Sequence, residues 1–260
     1  MASKFFQTVF KPDLVDGDIS KLIAANKTDA PFAAGDILFD WHAIDVPKGS
    51  KKLVSATAYM VGEDGGTQAN KDWWLVFAKG QADGTAPTTL GEENAAQTGC
   101  FELPSLYVGG VKFESSSTGV GTITGSAFGT MFIANAAGAN GVQFPIVIEG
   151  QPNSGTNVGF DKLYVAAFAG GAFDFSTGVT SGAVTADSAT DITVSVVDVR
   201  AAFQPGDIVY VHDQDTALGT VSSVPDATSL ILTANNAVAI ENTDELINAT
   251  PITVTLGFEQ

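Results

Sequence analysis

Apolar and polar residues alternate in short runs along most of this chain. The segments "KKLVSATAYMV" (51–61), "DWWLVFAK" (72–79), "LYVGGVKFES" (106–115), "GVQFPIVIE" (141–149), "DKLYVAAF" (161–168), "DITVSVVDV" (191–199), "DIVYVHD" (207–213), "SLILTA" (229–234) and "PITVTLGF" (251–258) are rich in Val, Ile, Leu, Phe, Tyr and Thr. Gly, Asn, Asp or Pro bounds most of them, which is the pattern of half-buried strands. In 191–199, Ile192, Val194 and Val196 share one face and Thr193 and Ser195 the other, until Val197 breaks the alternation and predicts a bulge or register change. Helical spacing is confined to two places. Ile19, Leu22 and Ile23 behind Asp18 predict a short helix over 19–27, and Thr243 or Asp244 predicts a single turn with Leu246 and Ile247 tucked inward.

These elements predict an all-β protein. A seam of small and polar residues, "STGVTSGAVTAD" (176–187), divides it. The expected layout is a β-sandwich or jelly-roll-like domain over 1–176, with an N-terminal arm over about 1–30, followed by a smaller acidic β-barrel or β-sandwich over 177–260. The 28 glycines cluster between strand segments, where turns and bulges need positive φ or a missing side chain.

Composition sharpens the picture. Hydrophobic residues make up 45% of the chain, enough for a sizeable core, and charged residues only 16%, against about 25% in average globular proteins. The formal net charge is -17. Such a field repels phosphate backbones and anionic lipid, so neither nucleic acid nor membrane is an expected partner. The excess sharpens toward the C-terminus, where residues 177–260 hold 11 acidic side chains and one basic one, Arg200. Cys100 stands alone and forms no internal disulfide. No window reaches the roughly 18 apolar residues of a membrane span, and "MASKFFQTVFKPDL" lacks the features of a signal sequence.

Candidate chemistry centres on two related stretches, "PFAAGDILFDWHAID" (31–45) and "FQPGDIVYVHDQD" (203–215), which hold the two histidines. Each places a Gly-Asp pair before an alternating strand. There Gly35 and Gly206 suit a turn, and Asp36 and Asp207 can accept a backbone N–H across it. His42, His212 and Cys100 are too few for a zinc site without several carboxylates, and neither a GxSxG elbow nor a phosphate-binding GxxxxGK[ST] loop occurs. Carboxylates gather in "DLVDGD" (13–18) and "HDQDTALG" (212–219), which read as acidic solvated turns before they read as calcium loops. Glu102, Glu114, Glu149 and Asp161 have no neighbourhood that distinguishes them as a glycosidase pair. No catalytic, cofactor-binding or metal-binding residue is therefore assigned, no cofactor is expected, and the chain is not expected to be an enzyme.

Adjacent Trp73 and Trp74 point to opposite faces of a strand, so one enters the core. The other is covered by a loop, buried in a subunit interface or free to stack on a sugar. Phe5, Phe6 and Phe10 in the N-terminal segment and Phe128, Met131 and Phe132 in "SAFGTMFIANAAG" join Trp73 and Trp74 as candidate interface residues, the second group serving equally as an internal strand.

Two patches, "FDWHAIDVPKGSKKLVSATAYMVGEDG…DWWLVFAKG" (39–80) and "PGDIVYVHDQDTALGTVSSVPDATSLILTANNAVAIENTDELIN" (205–248), resemble structural proteins of marine tailed bacteriophages. The resemblance implies a virion component. The expected role is a capsid decoration or cement protein on the virion's capsid surface, made in the host cytoplasm, binding the major capsid protein and forming a homo-oligomer, a trimer among the forms allowed. The alternative is a tail or baseplate component or a carbohydrate-binding host-recognition module. The resemblance carries over no active-site residues.

Overall fold

The computed structural model describes residues 4–15, 19, 22, 32–46, 51–61, 71–81, 85–98, 106–115, 122–126, 129–134, 146–148, 162–175, 177–195, 198–212 and 214–260. Its strands, in chain order, are β1 (Phe5–Phe10), β2 (Ile37–Asp45), β3 (Lys51–Met60), β4 (Trp73–Ala78), β5 (Tyr107–Phe113), β6 (Thr122–Ser126), β7 (Gly129–Ile133), β8 (Ile146–Ile148) and β9 (Lys162–Ala169). They continue with β10 (Thr180–Ser181), β11 (Asp191–Ser195), β12 (Ile208–Val211), β13 (Ala217–Ser223), β14 (Ser229–Leu232), β15 (Leu246–Asn248) and β16 (Ile252–Glu259). The protein is all-β, as the alternation predicts.

Three sheets organise these strands. A six-stranded sheet runs β1-β16-β3-β7-β6, with β8 also pairing β3, and a four-stranded sheet runs β2-β9-β4-β5. Their apolar faces pack together as a sandwich: Leu53, Ala56, Val254, Leu256 and Phe258 of the first share one core with Leu75, Phe77, Val165 and Ala167 of the second. Trp73 ties the layers, stacking on Phe113 within its own sheet (4.4 Å between ring centroids) and meeting Phe132 of the facing sheet edge-on at 5.8 Å. The third sheet, β10-β11-β14-β13-β12-β15, is nearly closed into a barrel. Its ends meet through a bridge between Thr180 and Glu245, around a separate core that includes Ile192, Val194, Val209, Leu218, Val221 and Leu230.

Three expectations change. Residues 5–10 of the expected arm form β1, paired along its whole length with β16, from Phe5 opposite Glu259 to Phe10 opposite Val254. The seam near 176 does precede the barrel strands, but β16 leaves the barrel and returns to the sandwich between β1 and β3. The smaller unit expected over 177–260 thus lacks its last strand, because Val254, Leu256 and Phe258 are buried in the larger core. The turn expected around Leu246 and Ile247 is strand β15, drawn out by pairing with Tyr210 and Val211. Of the helix expected over 19–27, only Ile19 and Leu22 are described; both are buried, and Leu22 N–H donates to the Ile19 carbonyl at 3.0 Å. The alternation in 191–199 ends in a single 3-10 turn, Val199–Ala201, capped by Asp198, with Val196 and Val197 outside the described residues.

One turn recurs three times and sets the start of three strands. In Ala33–Asp36, Gln204–Asp207 and Glu241–Asp244 the Asp backbone N–H donates to the carbonyl three residues earlier. The Asp carboxylate accepts the N–H of that same residue, at 2.6, 2.7 and 2.8 Å. The third position lies at positive φ in each: Gly35 at 96°, Gly206 at 87° and Thr243 at 77°. A turn with positive φ at its third position favours Gly there and Pro just before it, as Pro205-Gly206 supplies. Thr243 holds a branched side chain where glycine is relaxed. Thr243→Gly should therefore raise the unfolding free energy by about 1 kcal/mol, net of glycine's extra chain entropy. A urea midpoint that stays level or falls would show that the turn accommodates threonine without strain.

Candidate functional site at the junction of sandwich and barrel

The densest buried polar chemistry lies where the chain leaving β1 crosses onto the barrel. Asp207 is 1% exposed, and its Oδ1 accepts from Lys11 Nζ at 2.5 Å. Its Oδ2 accepts from Gln204 N–H at 2.7 Å and from Asn248 Nδ2 at 2.8 Å. Lys11 Nζ also donates to the Pro205 carbonyl at 3.0 Å. Asn248, fully buried on β15, donates to the Ala202 carbonyl and accepts from Thr250 N–H, while Thr250 Oγ1 accepts from Ile208 N–H. The backbone completes the seam, with Leu14 N–H donating to the Ala249 carbonyl and Ala249 N–H to that of Ile208. The polar groups of this network thus satisfy one another, as a buried polar cluster requires. Burial pushes the Asp207 carboxyl above the ordinary carboxylate range, and the opposing pull of Lys11 does not cancel it.

Beside this network opens a cleft of about 410 Å³, bounded by Lys11, Asp13, Asp40, His42, Glu92 and Glu93 among others. Its groups are tied to the chain's own structure. Asp40 Oδ1 accepts from Leu90 N–H at 3.1 Å, and Asp13 Oδ1 from Val15 N–H at 2.9 Å. His42 stacks on Phe10 at 5.2 Å between ring centroids, and burial lowers its pKa, so the imidazole is neutral at neutral pH. Among the described residues no three His, Cys, Asp or Glu side chains converge as a metal site would require.

The structure distributes the candidate interface residues between core and surface. Phe10, Trp73 and Phe132 are buried in the sandwich core, and Phe6 is partly buried, stacked on Phe258 at 4.9 Å. Those four positions serve the chain's own packing. Phe5, Met131 and Trp74 are exposed, while Phe128 lies outside the described residues, as does Cys100. Trp74 carries Lys112 Nζ over its ring at 5.6 Å, and Lys112 in turn pairs with Asp72 at 2.5 Å and Glu114 at 3.5 Å. Val9, one of the apolar residues of the N-terminal segment that seek cover, is exposed beside Phe5, as strict alternation in "FFQTVF" requires by putting Phe5, Gln7 and Val9 on one side. Sequence reasoning did not single out Val147, exposed on the six-stranded sheet, or Lys11 and Asn248 at the junction. Asn248 was out of its reach, because Ala202 and Asp207, to which its amide donates, lie more than forty residues away. No helix among the described residues is long and apolar enough to cross a membrane.

No family model and no curated protein matches this sequence. Among solved structures, "Structure of infectious bursal disease virus Gx strain" aligns with the whole chain at 12% identity and a TM-score of 0.17. The chain spans 42% of that protein's length, and a likeness this slight carries no argument about fold or function.

Proposed function

We propose that the protein is a non-enzymatic virion component, a capsid decoration or cement protein that stiffens a head lattice by non-covalent burial. One observation carries the reading: the side chains that would do chemistry at and near the junction are engaged in the chain's own structure, and one pair, Lys11 and Asp207, ties the barrel to the sandwich. Asp36 and Asp207 cap turns, Lys11 clamps Asp207, and neutral His42 stacks on Phe10. A body tied this way suits load-bearing, and repeated modest contacts under particle symmetry add up to a strong shell. The resemblance of residues 39–80 and 205–248 to phage structural proteins points the same way. Immunogold labelling of purified particles with antibody against this chain tests it. Even labelling of heads is the expected result; particles that stay bare while a denatured control reacts would overturn it.

A second reading, a tail or baseplate module that touches host glycan, draws on Trp74, which is 38% exposed beside Asp72 and Glu114. An aromatic ring flanked by carboxylates is the usual furniture of a sugar site. Lys112 already lies over this ring, which leaves less of it free for stacking. Glycan-array binding abolished by Trp74→Ala would favour this reading, with gold at the tail tip, and a silent array would remove it.

A further inference from the structure

Apolar exposure in this protein is concentrated on one surface. Of the six large hydrophobic side chains exposed among the described residues, Phe5 (72%), Val9, Met131 and Val147 stand on the six-stranded sheet. Pairing register places them on its outer face. Phe5, Gln7 and Val9 of β1 align with Glu259, Gly257 and Thr255 of β16, and these with Lys52, Ser55 and Thr57 of β3. Thr57 lies two residues from Tyr59, which pairs with Met131 of β7, and Lys52 pairs with Val147 of β8. In a chain of net charge -17, the outward positions of these rows carry one anion, Glu259, and one cation, Lys52, adjacent in register. Four exposed apolar side chains set among Gln7, Ser55, Thr57 and Thr255, with charge balanced on a strongly acidic chain, make this face a candidate interaction surface.

The same patch holds a knob and a hole. Phe5 projects as one wall of a groove of about 440 Å³ that Gln7, Val54, Ser55 and Gly257 among others complete. Gly257 brings no side chain to the depression between β1 and β3, and the Ser55 hydroxyl lies against the space that a Cβ there would occupy. Five strands at about 4.8 Å spacing and about seven residues in length span roughly 24 Å on a side, on the order of 600 Å². Two such faces together bury about 1,200 Å², the lower bound of a stable interface.

We infer that the outer face of the six-stranded sheet is a self-association surface on which a second copy of this chain packs its identical face about a two-fold axis, Phe5 of each copy seating in the groove of the other. A two-fold contact requires one patch to complement itself, and a projecting ring beside a glycine-floored groove does so. Sheets stacked in this way lie about 10 Å apart with strands inclined by about 30°. Because each copy carries -17, the remaining surfaces repel, and salt that screens them strengthens the pairing.

The inference does not rest on the virion reading, since it is tested on the purified full chain. Sedimentation velocity over a range of protein concentration should show a monomer–dimer equilibrium that tightens as salt rises. Phe5→Glu and, on a separate strand, Met131→Glu should each raise the dimer Kd by about tenfold or more. Trp74→Glu, on the other sheet, should leave it unchanged, and circular dichroism should show the variants folded. A chain that stays monomeric throughout, a dimer indifferent to both face variants, or an assembly that loosens with salt would each overturn the proposal.

Discussion

Replacing Asp207 by alanine should lower the unfolding free energy by about 3 kcal/mol and the thermal midpoint by about 6 °C. The carboxylate is the acceptor on which Lys11 Nζ, Gln204 N–H and Asn248 Nδ2 converge. Alanine strands two of those donors in a closed interior, while Lys11, with a 22% exposed side chain, recovers part of its hydration. Asp207→Asn keeps an acceptor for Gln204 and should cost less than alanine. Equal losses would mean that charge, and not hydrogen bonding, holds the junction.

The pH dependence of this loss has a definite sign. Burial raises the folded carboxyl of Asp207, so the folded state binds a proton more tightly than the unfolded one. Its contribution therefore grows as pH falls through the raised value toward the ordinary carboxylate range near 3.8. Asp72 behaves oppositely. Burial works to raise its pKa, but the Lys112 and Ser115 hydrogen bonds outweigh burial and leave it lowered. Its contribution is present above the ordinary carboxylate value and fades as pH falls through the lowered one. The gap between wild type and Asp207→Ala should thus widen on mild acidification, whereas that for Asp72→Ala holds there and closes only below the ordinary carboxylate value near 3.8. Unfolding curves of both variants at neutral, mildly acidic and strongly acidic pH check the contrast.

Strands were legible wherever both faces of the pleat left a mark in the sequence. Lys51–Met60 and Trp73–Ala78 show it plainly, because one side of each strand meets the core and the other meets polar cover. Ala217–Ser223 was missed, since Leu218 and Val221 are its only large apolar residues and a register shift beside Val221 breaks the alternation. Leu246 and Ile247 are adjacent and both buried, a pattern that reads as readily as a turn until pairing with β12 is known. The return of β16 to the sandwich was invisible for a different reason: it depends on partners at the far end of the chain, and alternation says nothing about which strand a strand will choose. The turn chemistry of Gly35-Asp36 and Gly206-Asp207 was legible because Gly and Pro announce it, while the same turn at Thr243-Asp244 carries neither signal at its third position. At the junction, Asp207 was recognised as the cap of its own turn, but its second role depends on Lys11, 196 residues away.

The adjacent tryptophans offer the sharpest check on the sandwich. Trp73→Ala should cost about 3–5 kcal/mol, because the ring is fully buried between Phe113 and Phe132 and a cavity would open between the sheets. Trp74→Ala should cost about 1 kcal/mol, the ring being partly solvated and resting against Gly170 and Lys112. Pairing fixes this order, since Trp73 opposes Phe113 and Ala169 while Trp74 opposes Lys112 and Phe168, and a slip of one residue would exchange every side chain between core and surface. Urea unfolding that found equal losses, or the larger one at Trp74, would contradict the register of β4. Trp73→Phe discriminates further. The indole N–H has no hydrogen-bond partner among the described residues, so phenylalanine removes apolar area but also an unpaired buried donor. The exchange should cost no more than about 2 kcal/mol, and a loss as large as that of alanine would mean that this N–H is bonded in the folded protein.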